Sequence, residues 1–150
     1  MTSPEQQALS ASDQQLLEHL LRLILPGDEA LDFAGAEAVG VIAYARESLL
    51  ENRHAGLRQH LPGALLQLRQ LAESSGAALN TLEPPAQRQR LQQLLASRAQ
   101  PFASVFEQLI GIALEGLLCE PAHGGNRNYS GWRLMGYKPG HGARSSDMAE

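Results

Sequence analysis

Cysteine, aromatic residues, long apolar runs and alternating strand patterns are all scarce in this chain, and each scarcity removes a class of function. One cysteine in 150 residues, Cys119, permits neither an intrachain disulfide nor a cysteine-based metal cluster. Its neighbours Leu117 and Leu118 point to a buried, inert thiol. No C-x-x-C-H occurs, so no c-type haem is expected on this chain. No apolar run approaches the ~20 residues of a membrane span, so direct membrane insertion is not expected. Met1-Thr2-Ser3-Pro4-Glu5 offers no basic n-region, no apolar h-region and no twin arginine. The expectation for the chain is therefore cytoplasmic. A periplasmic location would follow if a signal has been removed or a partner carries one.

Aromatic residues make up 5% of the chain against 43% apolar residues, so Leu and Ala must supply most of the core. That composition favours helices over strands, and no segment alternates with period two. The length suits one domain. A net charge of -4 leaves no general nucleic-acid footprint. Its distribution is uneven: residues 1–51 hold nine acids and two bases, whereas the rest hold ten bases and seven acids. Most of those bases are Arg, suited to bidentate contacts with carboxylates. Attraction within one fold and polarity for docking a partner both fit this asymmetry.

Helical periods organise the chain. Residues 1–11 are polar and expected to be flexible. Ser12 with Gln15 reads as a capping box opening a helix to about Leu25, striped by Leu16, Leu17, Leu20, Leu21 and Ile24. A second helix is expected from about Ala36 to Glu51, with Val39, Ile42, Ala43, Tyr44, Leu49 and Leu50 as its apolar candidates. A third is expected to open at Pro62, a residue suited to the first helical position, and to close at Ser74-Ser75-Gly76. The turn from Thr81 to Pro85 leads into a fourth, with Leu91, Leu94 and Leu95 inward and Arg88, Arg90 and Arg98 outward. The fifth is expected to open at Pro101, with Phe102, Val105, Phe106, Leu109, Ile110, Ala113, Leu114 and Leu117 as its buried stripe. The fold expected is all-α: a single helical domain of about five helices (12–120), an irregular extension rich in glycine and aromatics (121–140), and a disordered tail (141–150).

Catalytic constellations are not expected. The histidines at 19, 54, 60, 123 and 141 are scattered and read as solvated or capping groups, not metal ligands. There is no G-x-S-x-G elbow, and no base pairs with Cys119 in sequence. Gly124-Gly125-Asn126 lacks the Lys and Ser/Thr of a phosphate-binding loop and follows a helix instead of preceding one. Neither a catalytic, a metal-binding nor a cofactor-binding residue is therefore assigned.

The most informative segment runs from Glu120 to Trp132: Glu-Pro-Ala-His-Gly-Gly-Asn-Arg-Asn-Tyr-Ser-Gly-Trp. Paired glycines permit positive φ, and Asn tolerates the left-handed region. The segment therefore reads as a shaped loop. Trp132 and Tyr137 either fold back onto the helices or anchor in a partner's pocket. Arg127 and Arg133 flank the loop, as interface donors or as solvated surface groups.

The pattern Pro121-x-His123-Gly124-Gly125-Asn126-x(4)-Gly131-Trp132 resembles the C-terminal signature of the gluconate 2-dehydrogenase subunit 3 family. Leu23-Ile24-Leu25-Pro26-Gly27-Asp28 is similar to the family's L-I-x-P-x-D stretch. Pro101 through Phe106 and Leu114-Glu115-Gly116-Leu117-Leu118 resemble the helix before the signature. His123 stands where the family usually has Tyr, and Cys119-Glu120-Pro121 replaces a more usual Asp-Pro. The resemblance implies a non-catalytic small subunit. Such a subunit binds, stabilises and helps mature or export a large FAD-dependent sugar or alcohol dehydrogenase of the glucose-methanol-choline type. FAD is then expected in the partner and no cofactor in this chain, with a cytochrome c subunit as a further partner. Under that reading His123, Gly124, Gly125, Asn126, Arg127, Trp132, Arg133 and Tyr137 form the candidate partner-binding surface. The alternative is a stand-alone helical adaptor, homodimeric or otherwise, with no flavoprotein partner.

Overall fold

The computed structural model describes residues 9–74, 76 and 78–137. Residues 1–8, the expected tail at 141–150 and residues 138–140 of the expected extension lie outside them. The all-α architecture is borne out. Among the described residues six helices form: α1 (Ala11–Ile24), α2 (Val41–Ser48), α3 (Ala55–Glu73), α4 (Pro84–Ala96), α5 (Phe102–Leu118) and α6 (Ser130–Leu134). Short 3-10 turns join them, and an isolated antiparallel bridge pairs Asp28 with Phe33. The described residues divide into two compact units, one within 9–20 and 49–109, the other within 21–48 and 110–137.

The first unit is built on Leu and Phe. Leu17 and Leu20 of α1, Leu57, Leu61, Leu65 and Leu68 of α3, Leu91 and Leu94 of α4, and Phe102, Val105 and Leu109 of α5 are all buried. At ~25 cal/mol per Å² of apolar surface, this set is the main stabilising term. Phe102 and Phe106 stack with centroids 5.6 Å apart. Polar contacts then fix the register. Arg69 of α3 forms a 2.6 Å ion pair with Asp13 and donates to the Ser12 hydroxyl at 3.0 Å. Gln67 donates to the Gln100 carbonyl (3.0 Å) and accepts from the Phe102 amide (2.9 Å), which anchors the start of α5.

Several expected boundaries are corrected here. The cap of α1 is Ser10, whose hydroxyl accepts from the Asp13 amide at 3.1 Å; Ser12 lies inside the helix and serves Arg69. α3 begins at Ala55, with Pro62 in its interior. The run Leu57, Leu61, Ala64, Leu65, Leu68, Ala72 keeps one helical face inward across that proline, which sits on the exposed side. Burial outweighs the hydrogen bond that Pro62 cannot donate. Leu95 and Arg90 of α4 are half-buried, neither fully inward nor fully outward.

In the second unit α2 is only eight residues long, shorter than expected at both ends. Gly40 has φ +84, and a Cβ there would lie 2.6 Å from the Gly124 carbonyl oxygen and 2.8 Å from Arg127 Nε. Close approach of the C-terminal loop thus holds this backbone outside helical geometry, and α2 starts after it. Of the two leucines expected inward after α2, Leu49 is buried and Leu50 is exposed. The α5 stripe shifts likewise. Ile112, Ala113 and Leu117 are buried, whereas Ile110 and Leu114, expected inward, are exposed.

Candidate functional site: the loop between α5 and α6

A helix ends with four carbonyls lacking intrahelical partners, and the segment after Leu118 supplies donors to those of Glu115, Gly116 and Leu118. Glu120 is extended, and Pro121 opens a 3-10 turn closed by the Gly124 amide on the Pro121 carbonyl at 3.0 Å. Gly124 then takes φ +97, a left-handed conformation that reverses the chain. This places Gly125 against α5, where a Cβ would lie 2.1 Å from the Gly116 carbonyl oxygen. Only glycine fits.

Asn126 follows, with no exposure to solvent and φ +44. Its amide donates to the Gly116 carbonyl at 2.7 Å, and its Nδ2 donates to the Cys119 carbonyl at 2.8 Å. Its Oδ1 accepts from the Gly131 amide at 2.8 Å and the Trp132 amide at 3.3 Å, two of the unpaired donors that open α6. One side chain thus caps the end of α5 and the start of α6 together. The Arg127 amide adds a bond to the Val39 carbonyl at 3.0 Å.

Gly131 and Trp132 complete the lock. A Cβ on Gly131 would lie 1.7 Å from the Leu117 carbonyl oxygen, so α6 seats directly on backbone. Trp132 Nε1 donates to the Leu118 carbonyl at 2.7 Å. The indole packs on Tyr129 at 5.2 Å and edge-on to Tyr137 at 5.1 Å. On the other side of α5, Gly116 admits Tyr44, whose ring would be 2.9 Å from a Cβ there and whose hydroxyl donates to Glu115 at 3.1 Å.

The structure separates the eight candidate residues by exposure. Gly125 and Asn126 are buried and shape the loop. Trp132 is half-buried, with its polar edge turned to α5. His123, Gly124, Arg127, Arg133 and Tyr137 are exposed. Arg133 donates to the Ser130 hydroxyl at 3.4 Å. Two contributors were missed in the sequence: Tyr129, held at φ +57 beneath the indole, and Gly116, whose missing side chain admits Tyr44 and whose backbone Gly125 packs against.

Cys119 is half-buried, not fully buried as its leucine neighbours implied. Burial raises its thiol above the ordinary value near 9.0, against the opposing effect of the Gly125 amide. The thiol makes a long contact to the Gly116 carbonyl at 3.7 Å. Among the described residues no group of three His, Cys, Asp or Glu side chains stands close enough to hold a metal ion. The arrangement is a backbone-locked loop carrying an aromatic cluster and two arginines.

Compared with known proteins, the chain matches the family model described as Gluconate 2-dehydrogenase subunit 3 over residues 11–140. No curated protein and no solved structure matches it. The family match spans all six helices and the loop between α5 and α6.

Proposed function

The chain belongs to the gluconate 2-dehydrogenase subunit 3 family, and on that premise we propose that it is a small, non-catalytic subunit that binds and stabilises a large dehydrogenase. The large subunit in this reading is an FAD-dependent sugar or alcohol dehydrogenase of the glucose-methanol-choline type. Its flavin accepts the hydride, and a cytochrome c subunit carries the electrons onward. The present chain assists folding, maturation or export of that partner and contributes no reacting group.

The observation that carries this reading is the construction of the family signature. Its glycines and asparagine are spent on joining α5 to α6, which leaves Trp132, Tyr137, Arg127 and Arg133 on a rigid platform. A preformed aromatic and arginine platform loses little conformational freedom when a partner closes over it, which favours binding. Binding also stabilises both chains by mass action, since a partner at a hundred times its Kd adds about 2.7 kcal/mol to the folded state.

Deleting this chain in its native cells tests the proposal. The expected result is a several-fold loss of the large flavoprotein and of its sugar- or alcohol-oxidising activity, restored by the wild-type chain. Unchanged flavoprotein levels and activity would sink the proposal.

A further inference from the structure

The flank of α5 that faces solvent in the second unit is apolar. Ile110, Leu114 and Leu118 are 36%, 47% and 37% exposed. Spaced four residues apart, they stand in one row along the helix. Gly111 beside them meets nothing within 4 Å of where a Cβ would be, so the row lies open. It ends at Leu118, whose carbonyl holds the Trp132 indole, and Tyr137 packs edge-on against that indole. Contiguous exposed apolar side chains mark docking surfaces, and aromatic anchors dominate the energetics of such surfaces.

Residues 1–8 and 138–150 hold few apolar side chains that could cover the row. Residues 1–8 have only Met1 and Ala8 as apolar non-proline side chains; residues 138–150 have Ala143, Met148 and Ala149. A second copy is disfavoured by charge. α5 carries Glu107 and Glu115 and no Lys or Arg, and Glu120 follows it. Two such helices packed together would set carboxylate against carboxylate. The complementary surface is an apolar groove edged by Lys or Arg.

We infer that Ile110, Leu114 and Leu118 form the seat for the large dehydrogenase subunit, which presents such a groove, with Trp132 and Tyr137 at the end of the same contact. This rests on the subunit role proposed above. Three side chains fall short of the ~800 Å² that each partner contributes to a standard interface, so the row is its centre and the loop part of its surround.

The test uses the full chain and, as probe, the flavin-bearing large chain isolated with it from native cells. Leu114→Asp is expected to weaken that binding at least about thirtyfold while the helical circular dichroism stays unchanged. Leu114→Ala, which keeps helix propensity, should fall between the two. Leu66→Asp is the control, because Leu66 on α3 is 50% exposed and outside the row; it should bind within threefold of wild type. If wild type and Leu114→Asp bind the flavoprotein equally, the row is not the seat and the subunit role stands. If the wild-type chain brings down no flavin-bearing protein, both readings fall. A wild-type dimer that Leu114→Asp turns into a monomer, seen by sedimentation, would overturn the inference in favour of a second copy.

Discussion

At the scale of single residues, the loop between α5 and α6 makes opposite predictions for glycines that look alike in sequence. Gly131→Ala drives a methyl group into the Leu117 carbonyl, so it should destabilise by about 3 kcal/mol or more. Gly111→Ala meets open space in the middle of α5 and should stabilise by roughly 0.5–1 kcal/mol. Thermal or denaturant unfolding of the two variants reads the signs directly. Asn126→Ala removes Nδ2 and Oδ1 from three bonds and leaves alanine at positive φ, for an expected loss of about 3 kcal/mol. The sequence made the loop legible as a shaped turn but put Asn126 on the candidate partner surface, whereas it is fully buried. Its partners, the carbonyl of Cys119 and the amides of Gly131 and Trp132, are set by how α5 and α6 pack, which local pattern does not encode.

Cys119 supplies the pH dependence. Its thiol is raised in the folded chain, so the stability it contributes is present below the unfolded value near 9.0 and is lost as pH rises through the folded value. At pH 8 iodoacetamide should therefore label Cys119 in the folded chain several-fold more slowly than in the chain unfolded by urea. Equal rates would contradict a desolvated thiol.

At the scale of elements, sequence periodicity located the main helices but misplaced the starts of α3 and α2 and part of the buried face of α5. Each error came from a feature that period alone cannot see. Pro62 carries the signal of a helix start, yet the apolar face of α3 runs through it from Leu57 to Ala72. Gly40 looks like a tolerable helix residue, yet the Gly124 carbonyl and Arg127 crowd the place a Cβ would take. Ile110 and Leu114 are one step out of phase with the buried Ile112, Ala113 and Leu117, a difference that only packing decides. The α3 assignment has a direct check. An interior proline costs a hydrogen bond, so Pro62→Ala should stabilise the chain by about 1–3 kcal/mol. A proline at the first helical position would instead make that change neutral or unfavourable.

At the scale of the whole molecule, a chain of few aromatics spends most of them in two places. Phe102 and Phe106 stack in the first unit, and Tyr129, Trp132 and Tyr137 cluster in the second around the family signature. The all-α fold and the family were both legible in sequence, the first from Leu- and Ala-rich helical periods, the second from the spacing of Pro121, Gly124, Gly125, Asn126, Gly131 and Trp132. The proposed partner surface was legible only in part. The same motif residues divide into a buried lock and an exposed platform, and the apolar flank of α5 reads as core until its burial is known.

The central claim is that this chain completes a large flavoprotein. Affinity purification of the tagged chain from its native cells, followed by a visible absorption spectrum and mass spectrometry of what co-elutes, tests it most directly. The account predicts a yellow preparation containing a large flavin-bearing dehydrogenase at fixed stoichiometry, which bleaches when its sugar or alcohol substrate is added. A colourless chain, alone or paired only with itself, would contradict it.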